Sequence, residues 1–78
     1  MDIEISPHAA DSMEKHNISI DEIKSALVDG ETEFEIYVEG EKRHGNTLLQ
    51  KTRKLIVIWA RRNDKIRVIT CYLMKRKI

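Results

Sequence analysis

The sequence has few cysteines, which form disulfides, and few prolines and glycines, which interrupt helices and strands. It contains one cysteine, one proline and three glycines in 78 residues. A single cysteine, Cys71, excludes an internal disulfide and is typical of a small core residue in a reducing compartment. Because glycine and proline are few, we expect an ordered, globular domain. The sequence also lacks a glycine-rich phosphate loop and a nucleophile elbow.

Long apolar runs are missing too. The longest, Leu55 to Ala60, is far too short to span a bilayer. The chain starts with alternating acidic and apolar residues, unlike a secretory signal. Its three histidines are widely separated and have no short-spaced cysteine or carboxylate companion, which argues against a metal site. The sequence thus predicts one cytoplasmic domain over residues 1–78, with no membrane segment, metal or cofactor.

Charged residues are abundant, and their two signs are separated along the chain. Residues 1–41 contain twelve acidic and two basic side chains, whereas residues 42–78 contain twelve basic side chains and one acid, Asp64. A basic half of this size points to a polyanionic partner if folding leaves it exposed. The alternative is that the two halves pack together and neutralise each other.

Two helices are predicted near the start of the chain. Ser6-Pro7 is an N-cap followed by proline at the first helical position, and this helix runs to about His16. Ser19 and Glu22 form a capping box for the second helix, which ends at Gly30. Both helices have an apolar stripe, so each is expected to pack on one side only.

After the helices, the spacing of apolar residues changes to a period of two, which predicts strands. The predicted strands cover residues 33–38, 42–50, 55–60 and 66–73, with a short candidate edge strand at 2–5. The turn Glu39–Glu41 joins the first two of these strands as a hairpin. Strict alternation in the last strand places Val68, Thr70 and Tyr72 on one face and Cys71 on the other.

The expected fold is α+β, with the two helices packed on one face of a four-stranded antiparallel sheet. The helices and their loops then carry most of the acids, and the strands and turns carry the bases. Neutralisation between the halves would be incomplete, so we expect an acidic helical side and an exposed basic sheet side.

Several short motifs resemble a small bacterial and archaeal family of unknown function that is related to the RelE and BrnT toxins. They are His8-Ala9 with Ser12-Met13, Asn17-Ile18-Ser19 and the helix to Leu27, Lys42-Arg43-His44, Leu55-Ile56-Val57, and residues 68–72. The resemblance implies a RelE-like fold, an antitoxin partner and metal-free cleavage of RNA, often on the ribosome. Relatives tend to carry an arginine after the His8-Ala9 pair, whereas this chain has Ser12 and later Lys15-His16.

Metal-free RNA cleavage requires proton carriers and cations that stabilise the phosphorane. Histidine titrates near neutrality, and arginine matches phosphate oxygens with a planar fork of donors. His8 and His44 are the candidate proton carriers and Arg43 and Arg61 the candidate phosphate stabilisers. A purely structural role is the alternative for each histidine. Tyr72 is a further candidate that donates to phosphate or stacks on a base, with burial against the helices as its alternative.

Other residues have predicted binding or structural roles. The candidate nucleic-acid contacts are Lys42, Lys51, Arg53, Lys54, Arg62, Arg67, Lys75 and Arg76. His16 is read as a helix cap and Trp59 as a core residue. Two alternatives to an RNase remain open. One is a binding module that uses its basic sheet surface for nucleic acid or an acidic protein, and the other is a homodimer that joins acidic to basic sides.

Overall fold

Two helices and five strands make up the part of the chain that the computed structural model describes, residues 2–76. They are β1 (Ile3–Ile5), α1 (Pro7–Lys15), α2 (Ile20–Val28), β2 (Glu31–Val38), β3 (Glu41–Leu49), β4 (Arg53–Arg62) and β5 (Lys65–Lys75). The strands form one sheet in the order β1-β5-β4-β3-β2. Neither helix in this range is long and apolar enough to cross a membrane.

The expected four-stranded antiparallel sheet is wrong, whereas the short edge strand expected at residues 2–5 is present as β1. The sheet is mixed and has five strands, because β1 pairs parallel to β5 with Ile5 opposite Val68. A backbone bond of 3.0 Å from the Ser6 N–H to the Val68 carbonyl continues this pairing. A three-residue strand is too short for its sequence to reveal a partner or a direction, since register is specified by longer patterns.

Both helix starts are confirmed. The Ser6 hydroxyl caps α1 by accepting a bond from the Ala9 N–H at 3.0 Å, and it donates to the Ile69 carbonyl at 2.7 Å. In α2, the Ser19 hydroxyl accepts from the Glu22 N–H at 3.1 Å, while the Glu22 carboxylate accepts from the Ser19 N–H at 3.0 Å. The Ser6 cap therefore also ties α1 to β5.

Gly30 follows the end of α2 as predicted, but it is not needed there for a left-handed backbone. Among the glycines of the described residues, Gly40 is the one with a positive φ. A Cβ at Gly30 would instead overlap the carbonyl oxygens of Ala26 and Thr47. The glycine is needed because α2 and β3 approach each other closely there.

The hairpin between β2 and β3 turns through two residues. Glu39 and Gly40 have φ values of 51° and 80°, and Val38 lies opposite Glu41. Positive φ at both central residues is the signature of a type I′ turn, whose twist matches that of the strands. This turn fixes which residues of the two strands face each other.

Both helices pack on one face of the sheet, which we call the helix face. The buried cluster there comprises Ala9, Ile18, Ile23 and Ala26 from the helical region and Leu55, Val57, Val68 and Cys71 from β4 and β5. The opposite face, which we call the open face, has no helix in the described residues. It is still partly closed, because Ile56 and Ile58 are buried and the Phe34 ring covers Gly45.

A bulge in β5 changes the expected alternation. Ile58 pairs with Thr70 and Trp59 pairs with Val68, so Ile69 is an extra residue on β5. Val68 and Cys71 consequently share the helix face, and the predicted separation of these two side chains is wrong. Bulges shift all later residues by one face. Tyr72 therefore lies on the open face, 40% exposed.

Candidate functional site

His44 lies on β3 and shares the helix face with Asn46, two residues further along the strand. The type I′ turn sets Glu35 directly opposite His44. The His44 Nδ1 lies 3.0 Å from the Glu35 Oε2. A carboxylate only accepts hydrogen bonds, so this contact places the imidazole proton on Nδ1. In the tautomer with the proton on Nδ1, Nε2 is the ring nitrogen that can accept a proton.

The Trp59 indole stacks on one face of the His44 imidazole. The His44 and Trp59 ring centroids are 4.3 Å apart, with an angle of 20° between the planes. His44 pairs directly with Trp59 across β3 and β4, so the stacking follows from the strand register. Together, the carboxylate and the indole restrict both the rotation and the tilt of His44.

Asn46 anchors this assembly to the helical layer. Its side chain donates to the Ala26 carbonyl at 3.1 Å and accepts from the Trp59 Nε1 at 3.0 Å and the Thr32 hydroxyl at 2.8 Å. Asn46 is 3% exposed. A buried amide with this many partners is rigid, because each lost bond would leave a polar group unsatisfied. We call His44, Glu35, Trp59 and Asn46 the histidine network.

The Glu35 carboxylate is held in its charged form. A hydrogen bond from Lys42, whose Nζ lies 3.0 Å from Oε2, lowers the pKa of Glu35, and the charges of Lys42 and His44 add to the effect. The same contact raises the pKa of Lys42. A carboxylate that stays ionised keeps the Nδ1 tautomer of His44 and stabilises the imidazolium once Nε2 takes a proton.

Two further predicted catalytic residues lie on the same side of the sheet. Arg61 is two residues beyond Trp59 on β4, so it also projects from the helix face, and it is exposed. His8 is exposed in the first turn of α1, just after Ser6. Because Ser6 binds Val68 and α1 packs on β5, His8 lies beside β5, two strands away from His44 on β3.

The remaining two predicted catalytic residues lie elsewhere. Arg43 adjoins His44 on β3 and therefore points to the open face, where its Nε lies 3.3 Å from the Glu41 carboxylate. Tyr72 is on that face too. The structure thus places His8, His44 and Arg61 on the helix side of the sheet and leaves Arg43 and Tyr72 on the other side.

Many bases of the second half are paired with acids of the first half. The ion pairs are Lys42–Glu35, Arg43–Glu41, Arg53–Glu22, Lys54–Glu33, Arg62–Glu41 and Arg67–Glu4. Within residues 42–76, the bases without an ion pair are Lys51, Arg61, Lys65, Lys75 and Arg76. Pairing of the halves therefore removes part of the expected basic surface. The bases that stay unpaired are grouped at the two ends of the β4–β5 hairpin.

Sequence reasoning missed three members of the histidine network. Trp59 was predicted as core, but it is only partly buried and holds His44. Glu35 had a usable signal, because a two-residue turn at Glu39-Gly40 already implies that Glu35 faces His44. Asn46 had none, since its partners on α2 and β4 depend on the tertiary fold.

No group of three or more histidine, cysteine, aspartate or glutamate side chains in residues 2–76 is arranged to hold a metal ion. The fold and the site define a small α+β domain with a carboxylate-oriented histidine on a mixed sheet. The family described as a domain of unknown function (DUF4258) matches residues 5–73, and the chain belongs to this family. No curated protein and no solved structure matches the chain.

Proposed function

We propose that the chain is a toxin-type domain, related to the RelE and BrnT toxins, that binds RNA and cleaves it without a metal. The fixed imidazole of His44 supports this proposal, because Glu35 contacts its Nδ1 and the Trp59 ring stacks on its face. In residues 2–76, no hydrogen bond occupies its Nε2. An oriented imidazole with a free nitrogen is suited to proton transfer.

The proposed reaction is an attack within the RNA. His44 Nε2 takes the proton of a ribose 2′-hydroxyl, and the 2′-oxygen forms a bond to the adjacent phosphorus. The bond from phosphorus to the 5′-oxygen breaks, and protonated His8 gives its proton to that oxygen. Arg61 stabilises the charge on the phosphorane. The products are a 2′,3′-cyclic phosphate and a free 5′-hydroxyl.

A labelled single-stranded RNA, incubated with the protein and a chelator, tests this reaction. His44→Gln is expected to slow cleavage by about a hundredfold or more, the usual contribution of a general base. His16→Gln is the matched control, because His16 is exposed at the end of α1 and outside the histidine network. Intact RNA, with and without ribosomes, or full activity of His44→Gln contradicts the enzymatic proposal.

The salt dependence of RNA binding tests where the RNA lies. Each phosphate that a base neutralises on a single strand contributes about −0.7 to the slope of log K against log salt. If RNA contacts only Arg61 and Lys65, the slope of log K against log salt should be about −1.4. Engagement of the whole basic half predicts a slope several times steeper, and this result would exclude binding at the His44 end alone.

A second candidate function is a binding module without catalysis. It is favoured by the separation of Arg43 and Tyr72 from the other predicted catalytic residues. Such a module would use the unpaired bases for nucleic acid or for an acidic protein such as an antitoxin. If His8→Gln with His44→Gln leaves binding and toxicity unchanged, whereas Arg61→Gln with Lys65→Gln abolishes both, the module is the correct reading.

A further inference from the structure

The outer strand β2 leaves a long backbone edge of the sheet exposed. β2 spans eight residues, whereas β1 at the other edge spans three. Unpaired N–H and C=O groups on such an edge can accept a further strand. Proteins protect long edges with proline, with bulges and with charged side chains, above all lysine. β2 has no lysine or proline, and its protection consists of glutamates and one register shift. One register shift occurs between Thr32 and Phe34, which leaves residues 34–38 regular.

The charge of β2 indicates which kind of strand fits. It contains three glutamates and no base; Glu33 is paired with Lys54 and Glu35 with Lys42, so Glu31 is the one without an ion pair in residues 2–76. Pairing of two copies along this edge would bring the glutamates of both strands together, which disfavours a second copy. Nucleic acid is disfavoured for the same reason. A basic strand would complement the edge, and Ile36 and Tyr37, 43% and 71% exposed, offer it apolar contacts.

A cleft of about 220 Å³ lies where β2 begins. It is lined by Asp29, Gly30, Glu31, Glu33, Thr47, Leu48 and Leu49. Pairing between β2 and β3 starts at Glu31 and Thr47, so Leu48 and Leu49 extend past the end of β2. The cleft therefore combines carboxylates with apolar side chains at an open sheet edge. Such a lining suits the apolar stem and cationic head of lysine or arginine.

Thr47 also lines this cleft. It is 4% exposed, and its hydroxyl is the buried side-chain polar atom in residues 2–76 that has no hydrogen-bond partner. Buried hydroxyls in folded proteins are nearly always bonded. The hydroxyl has almost no accessible surface, so a lysine or arginine head group, which carries only donors, would bond it only if the cleft opens on binding.

We propose that the β2 edge and this cleft bind an extended basic segment of a partner protein by strand addition, with one lysine or arginine side chain in the cleft. The segment would lie along residues 31–38, on the edge of the sheet opposite β1. The proposal does not depend on RNA cleavage, because β2 contributes only Glu35 to the histidine network, and Glu35 already binds His44 and Lys42.

Amide shifts in an NMR titration of the full chain test this surface. The probe is a peptide about ten residues long, the length of a strand, in which arginine alternates with valine. We expect shifts concentrated at residues 31–38 and at Thr47. An acidic peptide of the same pattern should leave them unchanged. Absence of shifts at β2, or shifts that appear with protein concentration alone, overturns the proposal.

Two test variants and one control locate the binding energy. Glu31→Lys should weaken the basic peptide by about tenfold, as loss of a favourable charge contact plus a repulsion predicts. Glu14→Lys makes the same charge change on α1, which packs on β5, towards the opposite edge of the sheet from β2. It should have no effect on peptide binding. Thr47→Val should also weaken the peptide. Equal binding by Glu31→Lys and Glu14→Lys, or full binding by Thr47→Val, excludes the cleft as the cation site.

Discussion

Replacing Asn46 with alanine should be among the most destabilising single changes in the chain. The side chain joins three elements, because it bonds the end of α2 through Ala26, β2 through Thr32 and β4 through Trp59. Its 3% exposure means that water cannot replace these partners unless the structure opens. The variant removes three hydrogen bonds at once and leaves a carbonyl, a hydroxyl and an indole N–H to find others.

The expected cost follows from these contacts. A typical hydrogen bond contributes about 1 kcal/mol, and each buried group left unsatisfied costs about 1–3 kcal/mol. Thr32 is exposed and can bond water, so the loss falls mainly on Ala26 and Trp59. We therefore expect Asn46→Ala to lower the free energy of unfolding by about 3–5 kcal/mol. For a domain of this size, that shifts the melting temperature by roughly 12 °C or more.

Urea unfolding, followed by tryptophan fluorescence, measures the loss. Thr32→Ala removes one bond and should cost about 1 kcal/mol. Thr47→Val is the matched control on the same strand. It removes a buried hydroxyl that has no partner, so stability should stay the same or rise. A loss below about 1 kcal/mol for Asn46→Ala, with an unchanged m-value, would refute the reasoning.

Three further predictions concern other parts of the fold. The backbone N–H of Ser19 is the main cause that lowers the pKa of Glu22 from 4.5 to about 2, so Glu22 stabilises the fold above pH 4.5 and loses this effect as the pH falls through about 2. In urea unfolding across this range, Glu22→Gln should therefore be less pH-dependent than the wild type, and equal slopes would contradict this. Gly30→Ala places a Cβ against backbone oxygens and should destabilise the fold by about 2–4 kcal/mol. Gly40→Ala meets only backbone strain and should cost about 1–2 kcal/mol. The reverse order of stability in denaturation would be inconsistent with the close approach of α2 and β3. Burial raises the pKa of the Cys71 thiol, so iodoacetamide should label the native protein far more slowly than the unfolded one, and equal rates would show that the core is open.

The helices could be predicted because their signals are local. Ser6-Pro7 and the Ser19–Glu22 capping box act within three residues of the helix start, and both appear as expected. The hairpin turn at Glu39-Gly40 is local in the same sense. In each case, the backbone conformation and the residues that satisfy it are neighbours in the sequence.

The complete sheet could not be predicted in this way. The parallel pairing of β1 depends on residues at the far end of the chain, and the bulge at Ile69 leaves no composition signal. The bulge alone reverses the faces of later β5 residues, so the side of Tyr72 was set by geometry that period-two reasoning omits. The candidate site was incomplete for a related reason. Arg43 and His44 are adjacent in sequence, and a strand necessarily points them in opposite directions.

Separation of charge along this chain does not produce the same separation in space. Antiparallel pairing returns the chain beside itself, so Glu35 meets Lys42, and Glu41 meets Arg62 across the sheet. Exposed pairs of this kind contribute little to stability, but they cancel the local potential that a ligand experiences. A polyanion should therefore respond to the few bases without acidic partners, such as Arg61, and not to the charge of the basic half as a whole. By the same argument, Glu31, which has no ion pair within residues 2–76, should dominate the attraction of a basic segment to β2.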